Sequence, residues 1–222
     1  MKISHLTIFT NNLKEQTSFY SEVLGFQIIT KTSNSVTLKT GESFLEFREK
    51  KQVNPYHFAF NIPKNKVEEV YKWLQNRVKL IADHTNKIIH FKKWNATAMY
   101  FYDKDQNIVE FIARANLDIT SNKIFSSEEI ISISEIGIPT NNIEPIYKQI
   151  NNIKKIAIYD GSFDRFCAIG NEEGLFIIIK KEIKKWFPSM DTAYSEDFII
   201  KGDYNFKYIN GKIRVLSHTN SK

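Results

Sequence analysis

One cysteine, Cys167, stands among 222 residues. With no second thiol there is no intrachain disulfide, no CxxC redox pair and no thiolate-rich metal site. Such a chain suits a reducing, cytoplasmic setting, and Cys167 reads as a small buried apolar residue rather than a nucleophile. Glycine (8) and proline (5) are scarce, which excludes collagen-like and Gly/Pro-rich disordered chains. Long apolar runs are missing too. The longest runs, such as Leu175-Phe176-Ile177-Ile178-Ile179, are far short of the roughly 20 residues a helix needs to cross a bilayer, so no membrane partner is expected. The first residues open into an alternating pattern rather than the apolar stretch of a leader. No Gly-rich phosphate loop and no GxSxG elbow occurs, leaving nucleotide binding and serine hydrolysis without support.

What is present is ordinary for a globular protein: 42% hydrophobic and 25% charged residues. Net charge is +6, but the basic residues are mixed with acids along the chain. The densest run, Lys180-Lys181-Glu182-Ile183-Lys184-Lys185, reads as a solvated edge rather than a nucleic-acid footprint. The length allows one or two domains. It also equals about four units of 55 residues, which calls for a search for internal repeats.

Three stretches share one pattern. They are Ile3-Ser4-His5-Leu6-Thr7-Ile8-Phe9, Pro55-Tyr56-His57-Phe58-Ala59-Phe60-Asn61 and Ile133-Ser134-Glu135-Ile136-Gly137-Ile138-Pro139. Alternation predicts strands. Because side chains alternate across a strand, one face carries Leu6 and Ile8, Phe58 and Phe60, Ile136 and Ile138. The other carries His5 and Thr7, then His57, Ala59 and Asn61, then Glu135, Gly137 and Pro139. That second face suits a cavity lining. Each strand precedes an amphipathic helix: Phe19, Tyr20, Val23 and Leu24 supply the first stripe, Val67, Val70, Tyr71 and Leu74 the second, Ile143, Ile146, Tyr147 and Ile150 the third. Gly25 ends the first helix in a left-handed cap. Three strand-like runs follow each helix: Phe26–Lys31, Ser35–Lys39 and Ser43–Arg48; Lys79–Ala82, Ala96–Tyr102 and Asn107–Ala113; Ile156–Tyr159, Phe166–Ile169 and Leu175–Lys180. The unit is therefore βαβββ.

Glu46 and Glu110 occupy matching places in the last strands of units one and two, with Phe176 aligned to them in unit three. From first marker to last the separation is 41 residues in units one (His5 to Glu46) and three (Glu135 to Phe176), and 53 in unit two (His57 to Glu110). The longer excursion of unit two lies at His84–Asn95. Carboxylates among apolar neighbours are costly unless paired or bound to a metal. If units one and two pack around one cavity, two imidazoles and two carboxylates meet there. That donor set suits Zn, Ni, Fe or Mn, with an open position for Lewis-acid catalysis.

These motifs resemble the vicinal oxygen chelate superfamily, which includes glyoxalase I, extradiol dioxygenases, fosfomycin-resistance enzymes and bleomycin-binding proteins. The resemblance rests on His5-Leu6-Thr7-Ile8, on the run from Phe19 to Phe26 (FYSEVLGF), on His57-Phe58-Ala59-Phe60, and on the run from Tyr100 to Phe111 (YFYDKDQNIVEF). It implies an α+β fold of tandem βαβββ modules forming open mixed β-barrels. It also implies that His5, Glu46, His57 and Glu110 are metal ligands, with Glu46 or Glu110 moving protons as in a glyoxalase-type lyase or isomerase. A ring-cleaving dioxygenase acting on a catechol or hydroquinone, and a non-enzymatic drug-binding resistance protein, are the alternatives. Unit three, with Glu135 for His and Phe176 for Glu, reads as a degenerate structural half. Gln106 replaces the family's turn glycine, which is tolerable if Asn107 takes the special backbone angle.

Residues 1–118 are thus expected to form the paired modules with the metal site, and residues 119–222 the degenerate third module with an incomplete fourth. The tail carries three strands, Asp197–Lys201, Tyr204–Ile209 and Lys212–Leu216, with an Asn210-Gly211 hairpin turn. It has two candidate roles, covering an edge of unit three or making a homodimer contact. His90, Trp94, Tyr100 and Tyr102 are candidates for touching a small-molecule substrate; His84 and His218 read as solvated.

Overall fold

The computed structural model describes residues 1–216. Unit one comprises β1 (Ile3–Thr10), α1 (Leu13–Ser18), β2 (Ile28–Lys31), β3 (Ser35–Thr40) and β4 (Ser43–Glu49). Unit two comprises β5 (His57–Ile62), α2 (Val67–Gln75), β6 (Leu80–Ile81), β7 (Ile89–Phe91), β8 (Ala96–Tyr102) and β9 (Ile108–Arg114). Unit three comprises β10 (Ser132–Thr140), α3 (Ile143–Ile153), β11 (Ile158–Gly161), β12 (Phe166–Asn171) and β13 (Gly174–Lys180). The tail adds β14 (Phe198–Gly202), β15 (Phe206–Ile209) and β16 (Lys212–Val215). The α+β class and the tandem βαβββ units are as expected. The extra excursion of unit two builds one short strand, β7, against β8.

Local chemistry explains the element ends. After α1 the chain widens into a π-turn over Phe19–Val23. Gly25, at φ +70°, then reverses it, and the Phe26 amide bonds the Tyr20 carbonyl at 2.8 Å. In the turn before β9 it is Gln106, at φ 62°, that takes the left-handed conformation, rather than Asn107. Asn107 is held instead by hydrogen bonds: its Oδ1 accepts from the Tyr56 amide at 2.7 Å, and its Nδ2 donates to Asp103 at 2.8 Å.

Within each unit the first strand lies parallel to the last. Thr7 faces Glu46, Ala59 faces Glu110, and Gly137 faces Ile177. Register therefore corrects the alignment of unit three, where Ile177 and not Phe176 occupies the glutamate position. A one-residue offset turns a side chain to the other face of a strand, and Phe176 is buried in the main core.

Between units the pairing differs from expectation. β5 runs antiparallel to β10, joining units two and three. β1 runs antiparallel to β14, joining unit one to the tail. A single residue pair, Ile3 with Ile133, links β1 to β10. The first strand of the tail thus pairs with unit one, while its side chains pack on unit three: Tyr204 and Phe206 meet Phe176, and the Tyr208 hydroxyl donates to the Pro139 carbonyl at 3.1 Å. Among the described residues the sixteen strands form one continuous mixed sheet.

The apolar faces behave as the alternation requires. Leu6, Ile8, Phe58, Phe60, Ile136 and Ile138 are all buried in one core with Val70, Leu74, Ile143, Ile146 and Ile150 of the helices. Each such side chain contributes roughly 1.5–3 kcal/mol. A second, smaller cluster lies on the opposite faces of units two and three and includes Ala59, Ile108, Ile112, Ile177 and Trp186. It surrounds the site described next. Among the described residues no helix is long and apolar enough to cross a membrane.

Candidate metal centre

His57 opens β5, Glu110 sits mid-way along β9, and Glu135 projects from β10. Because β5 pairs with both β9 and β10, the three side chains converge. One donor atom from each lies within 4.8 Å of the others, and all three residues are buried. His57 Nε2 is 3.5 Å from Glu110 and 3.8 Å from Glu135. Its Nδ1–H donates to the Ile108 carbonyl at 3.1 Å. That bond fixes the ring and turns Nε2 to the carboxylates, the arrangement typical of metal-ligating histidine.

Two buried carboxylates lie here with one guanidinium. Arg114, at the end of β9 and fully buried, forms a close ion pair with Glu135 and donates to Ser134 at 3.3 Å. Glu110 has no such partner. Burial, reinforced by the charge of Glu135, pushes its pKa up to about 8. Burial lowers the pKa of His57, but the carboxylates outweigh burial and raise it. Glu110 thus favours at neutral pH its protonated form, and a divalent cation would replace that proton. One imidazole and two carboxylates, one of them uncompensated, fit such an ion.

A cavity of about 180 Å³ opens above these residues, lined by aromatic side chains and Lys184. Trp186, from the segment after β13, lies 4.8 Å from the His57 ring, centroid to centroid. A Cβ at Gly137 would come within 2.6 Å of the same indole, so the glycine lets Trp186 seat. The segment is anchored by Asp191, which accepts from the Tyr102 hydroxyl at 2.6 Å and, through its carbonyl, from the Trp186 amide at 2.9 Å.

The expected tetrad is divided by the strand pairing. His57 and Glu110 meet, with Glu135 as their third member. His5 and Glu46 meet separately: His5 Nε2 lies 3.0 Å from Glu46, which also accepts from Thr7 at 2.8 Å and from Arg48 Nε at 2.7 Å. Across β14 the neighbour of His5 is Lys201, and among the described residues no second acid joins this pair to make a three-donor group. Burial would raise the Glu46 pKa, but the bonds from His5, Arg48 and Thr7 outweigh it and hold the group at about 2. A depressed carboxylate stabilises the fold above its unfolded pKa of 4.5 and loses that contribution as pH falls towards 2. Glu46→Gln is therefore expected to remove part of the acid sensitivity. Urea unfolding at pH 7 and pH 3 reads it; equal pH dependence in both proteins would contradict the pairing.

Of the substrate candidates, Trp94 and Tyr100 line the cavity. His90 is exposed on the outer side, bonded to Thr97 at 3.1 Å. Tyr102 contacts the anchoring segment instead. His84 is exposed, and His218 lies outside the described residues. Cys167 is buried, and burial pushes its thiol up to about 11. Sequence reasoning placed Glu135 in a structural half, read Lys184 as part of a solvated edge, and gave Arg114 and Trp186 no role. The available signal was Arg114 itself. It lies four residues after Glu110, on the same face of an apolar strand, where a guanidinium needs a buried acid.

Residues 2–111 match the model of the glyoxalase/bleomycin resistance protein/dioxygenase superfamily. Through these residues the chain belongs to that superfamily. Over 115 residues it is 28% identical to the metallothiol transferase FosB of Staphylococcus haemolyticus, covering 49% of this chain and 80% of that protein. FosB of Staphylococcus epidermidis matches with the same identity and coverage. A candidate dioxygenase from Bacillus subtilis shares the fold at a TM-score of 0.62 and 16% identity, over 83% of this chain and 65% of its own. The FosB matches correspond in extent to about two units, whereas the structural match extends over most of the chain.

Proposed function

We propose that the chain is a metal-dependent enzyme acting on a small oxygen-bearing molecule by non-redox chemistry, as a lyase, isomerase or transferase. The observation that carries this reading is the buried convergence of His57, Glu110 and Glu135 at the floor of an open cavity. These three residues would hold the ion, which when bound supplies Lewis-acid polarisation of a substrate oxygen. His57 is oriented by Ile108. Arg114 holds Glu135 through one carboxylate oxygen and leaves the other facing His57. Tyr100, whose pKa burial and the neighbouring Glu110 raise, stays protonated beside that carboxyl. Trp186 and Phe187 exclude water from one side of the cavity. A single imidazole with two carboxylates departs from the two-histidine, one-carboxylate triad of non-haem iron oxygenases, which favours the non-redox reading over ring cleavage.

The test is titration of metal-free protein with Mn²⁺, Zn²⁺, Ni²⁺ and Fe²⁺ by calorimetry, followed by assays of each loaded form. The assays cover 2-oxoaldehyde–thiol adduct isomerisation, thiol transfer to an electrophile, and catechol cleavage under oxygen. The expected result is one ion per chain, lost in His57→Ala, with turnover in one of the first two assays. Wild-type protein that takes up no ion, or iron-dependent catechol cleavage, would overturn it.

A further inference from the structure

Lys184 stands at the cavity whose floor is His57, Glu110 and Glu135. Its side chain is half-buried, with Nζ 5.6 Å from the centre of the Phe166 ring. Among the described residues it has no carboxylate partner, unlike Lys93, which pairs with Asp160. Burial, with Arg165 nearby, lowers its pKa, as expected of an ammonium short of both water and a counter-ion.

The walls are almost entirely rings: Phe91, Trp94, Tyr100, Phe166, Trp186 and Phe187, with Ile177 as the aliphatic member. Trp94 and Phe166 lie near-parallel at 25° with centroids 6.2 Å apart, and Phe91 meets Phe187 edge-on at 5.9 Å. Such walls favour a flat π-system, which gains offset-stacked and edge contacts beyond simple burial. At about 180 Å³ the space is smaller than the roughly 300–1,000 Å³ of drug-sized sites, so it suits one ring. With a divalent ion at the floor, Arg114 leaves that end net positive, and Lys184 adds a second cation.

We infer that the ligand of this cavity is a small monocyclic aromatic acid, its ring between these walls and its anionic group at Lys184. The inference rests on the proposed metal site for the polarity of the floor, and it narrows the substrate class of that site.

Benzoate, cyclohexanecarboxylate and benzyl alcohol are the probes, titrated calorimetrically into metal-loaded wild type, Lys184→Met and Phe166→Leu, with the metal content of each sample measured. Benzoate is expected to bind about tenfold tighter than either other probe, since removing a charge-assisted contact or the stacking each costs about that factor. Lys184→Met should erase the preference over benzyl alcohol, and Phe166→Leu should shrink the preference over cyclohexanecarboxylate. Lys184 is partly exposed, so its variant should fold; circular dichroism checks this. A protein that holds metal but binds the three probes alike overturns the aromatic-acid inference and leaves the metal reading standing. Benzoate binding that depends on Lys184 in protein that takes up no metal upholds the ligand class and overturns the metal reading.

Discussion

Glu110→Gln is expected to lower divalent-metal affinity by at least about 100-fold while leaving the metal-free fold as stable as the wild type, or more so. The two halves of this result have one cause. Glu110 is buried beside Glu135, and its pKa is raised to about 8, so without metal the group favours its neutral form at pH 7. Glutamine copies the shape of that neutral acid and removes the cost of ionising it. A metal loses an anionic donor, which should matter more than the 10–100-fold typical of deleting a mere supporting partner. In the wild type, metal at 100 times its Kd should add about 2.7 kcal/mol of stability; the variant should show almost none at the same concentration.

The same group sets a pH dependence. A carboxylate raised from 4.5 to about 8 binds more protons in the native state than in the unfolded one between those values. Its contribution to stability is complete below pH 4.5 and is lost as pH rises through 8. His57, raised from 6.5, acts in the same direction. Metal-free wild type should therefore lose stability from pH 6 to pH 8.5, and Glu110→Gln should lose less. Calorimetric metal titrations and thermal melts at both pH values read this out. A variant that binds metal as tightly as wild type would remove Glu110 from the donor set.

Arg114→Met should cost about 3–5 kcal/mol, the range for breaking a buried ion pair from one side. Arg114 and Glu135 are 1% and 2% exposed, so the stranded carboxylate would have little access to water. It would also sit beside Glu110 with no guanidinium to offset either charge. Adding Glu135→Gln should restore much of the lost stability, because the unpaired charge goes with it, although metal affinity would not return. Arg114→Lys should recover little, since an ammonium cannot reach Ser134 and Glu135 together as the guanidinium does. Chemical denaturation of wild type, Arg114→Met, Glu135→Gln and the double variant measures the cycle, with Arg114→Lys alongside. A loss below 1 kcal/mol in Arg114→Met would show that the pair is not isolated from solvent.

The residues that sequence reasoning placed correctly are those governed by local rules. Alternation along His57–Ile62 put Phe58 and Phe60 in the core and His57 on the cavity side, because a strand's two faces follow from its own backbone. The third unit shows the limit of that reasoning. Counting 41 residues from Glu135 reaches Phe176, yet the hydrogen-bonded register gives Ile177, because the two halves of a parallel pair are set by contacts, not by loop length. His5 and Glu46 show a second limit. Their spacing matches that of a site, but Arg48, two residues beyond Glu46 on the same strand face, satisfies the carboxylate, where the corresponding residue of unit two is the apolar Ile112.

Three repeated βαβββ units, their turns, their apolar faces and one His/Glu pair in each of the first two are written in the chain itself, since each depends on neighbours within a single unit. Which units share a cavity is not. β1, β5 and β10 present similar edges, and any two could pair on local grounds. Packing over the whole molecule decides it: β14 takes the edge of β1, β10 takes the edge of β5, and so Glu135 rather than His5 or Glu46 stands beside His57 and Glu110.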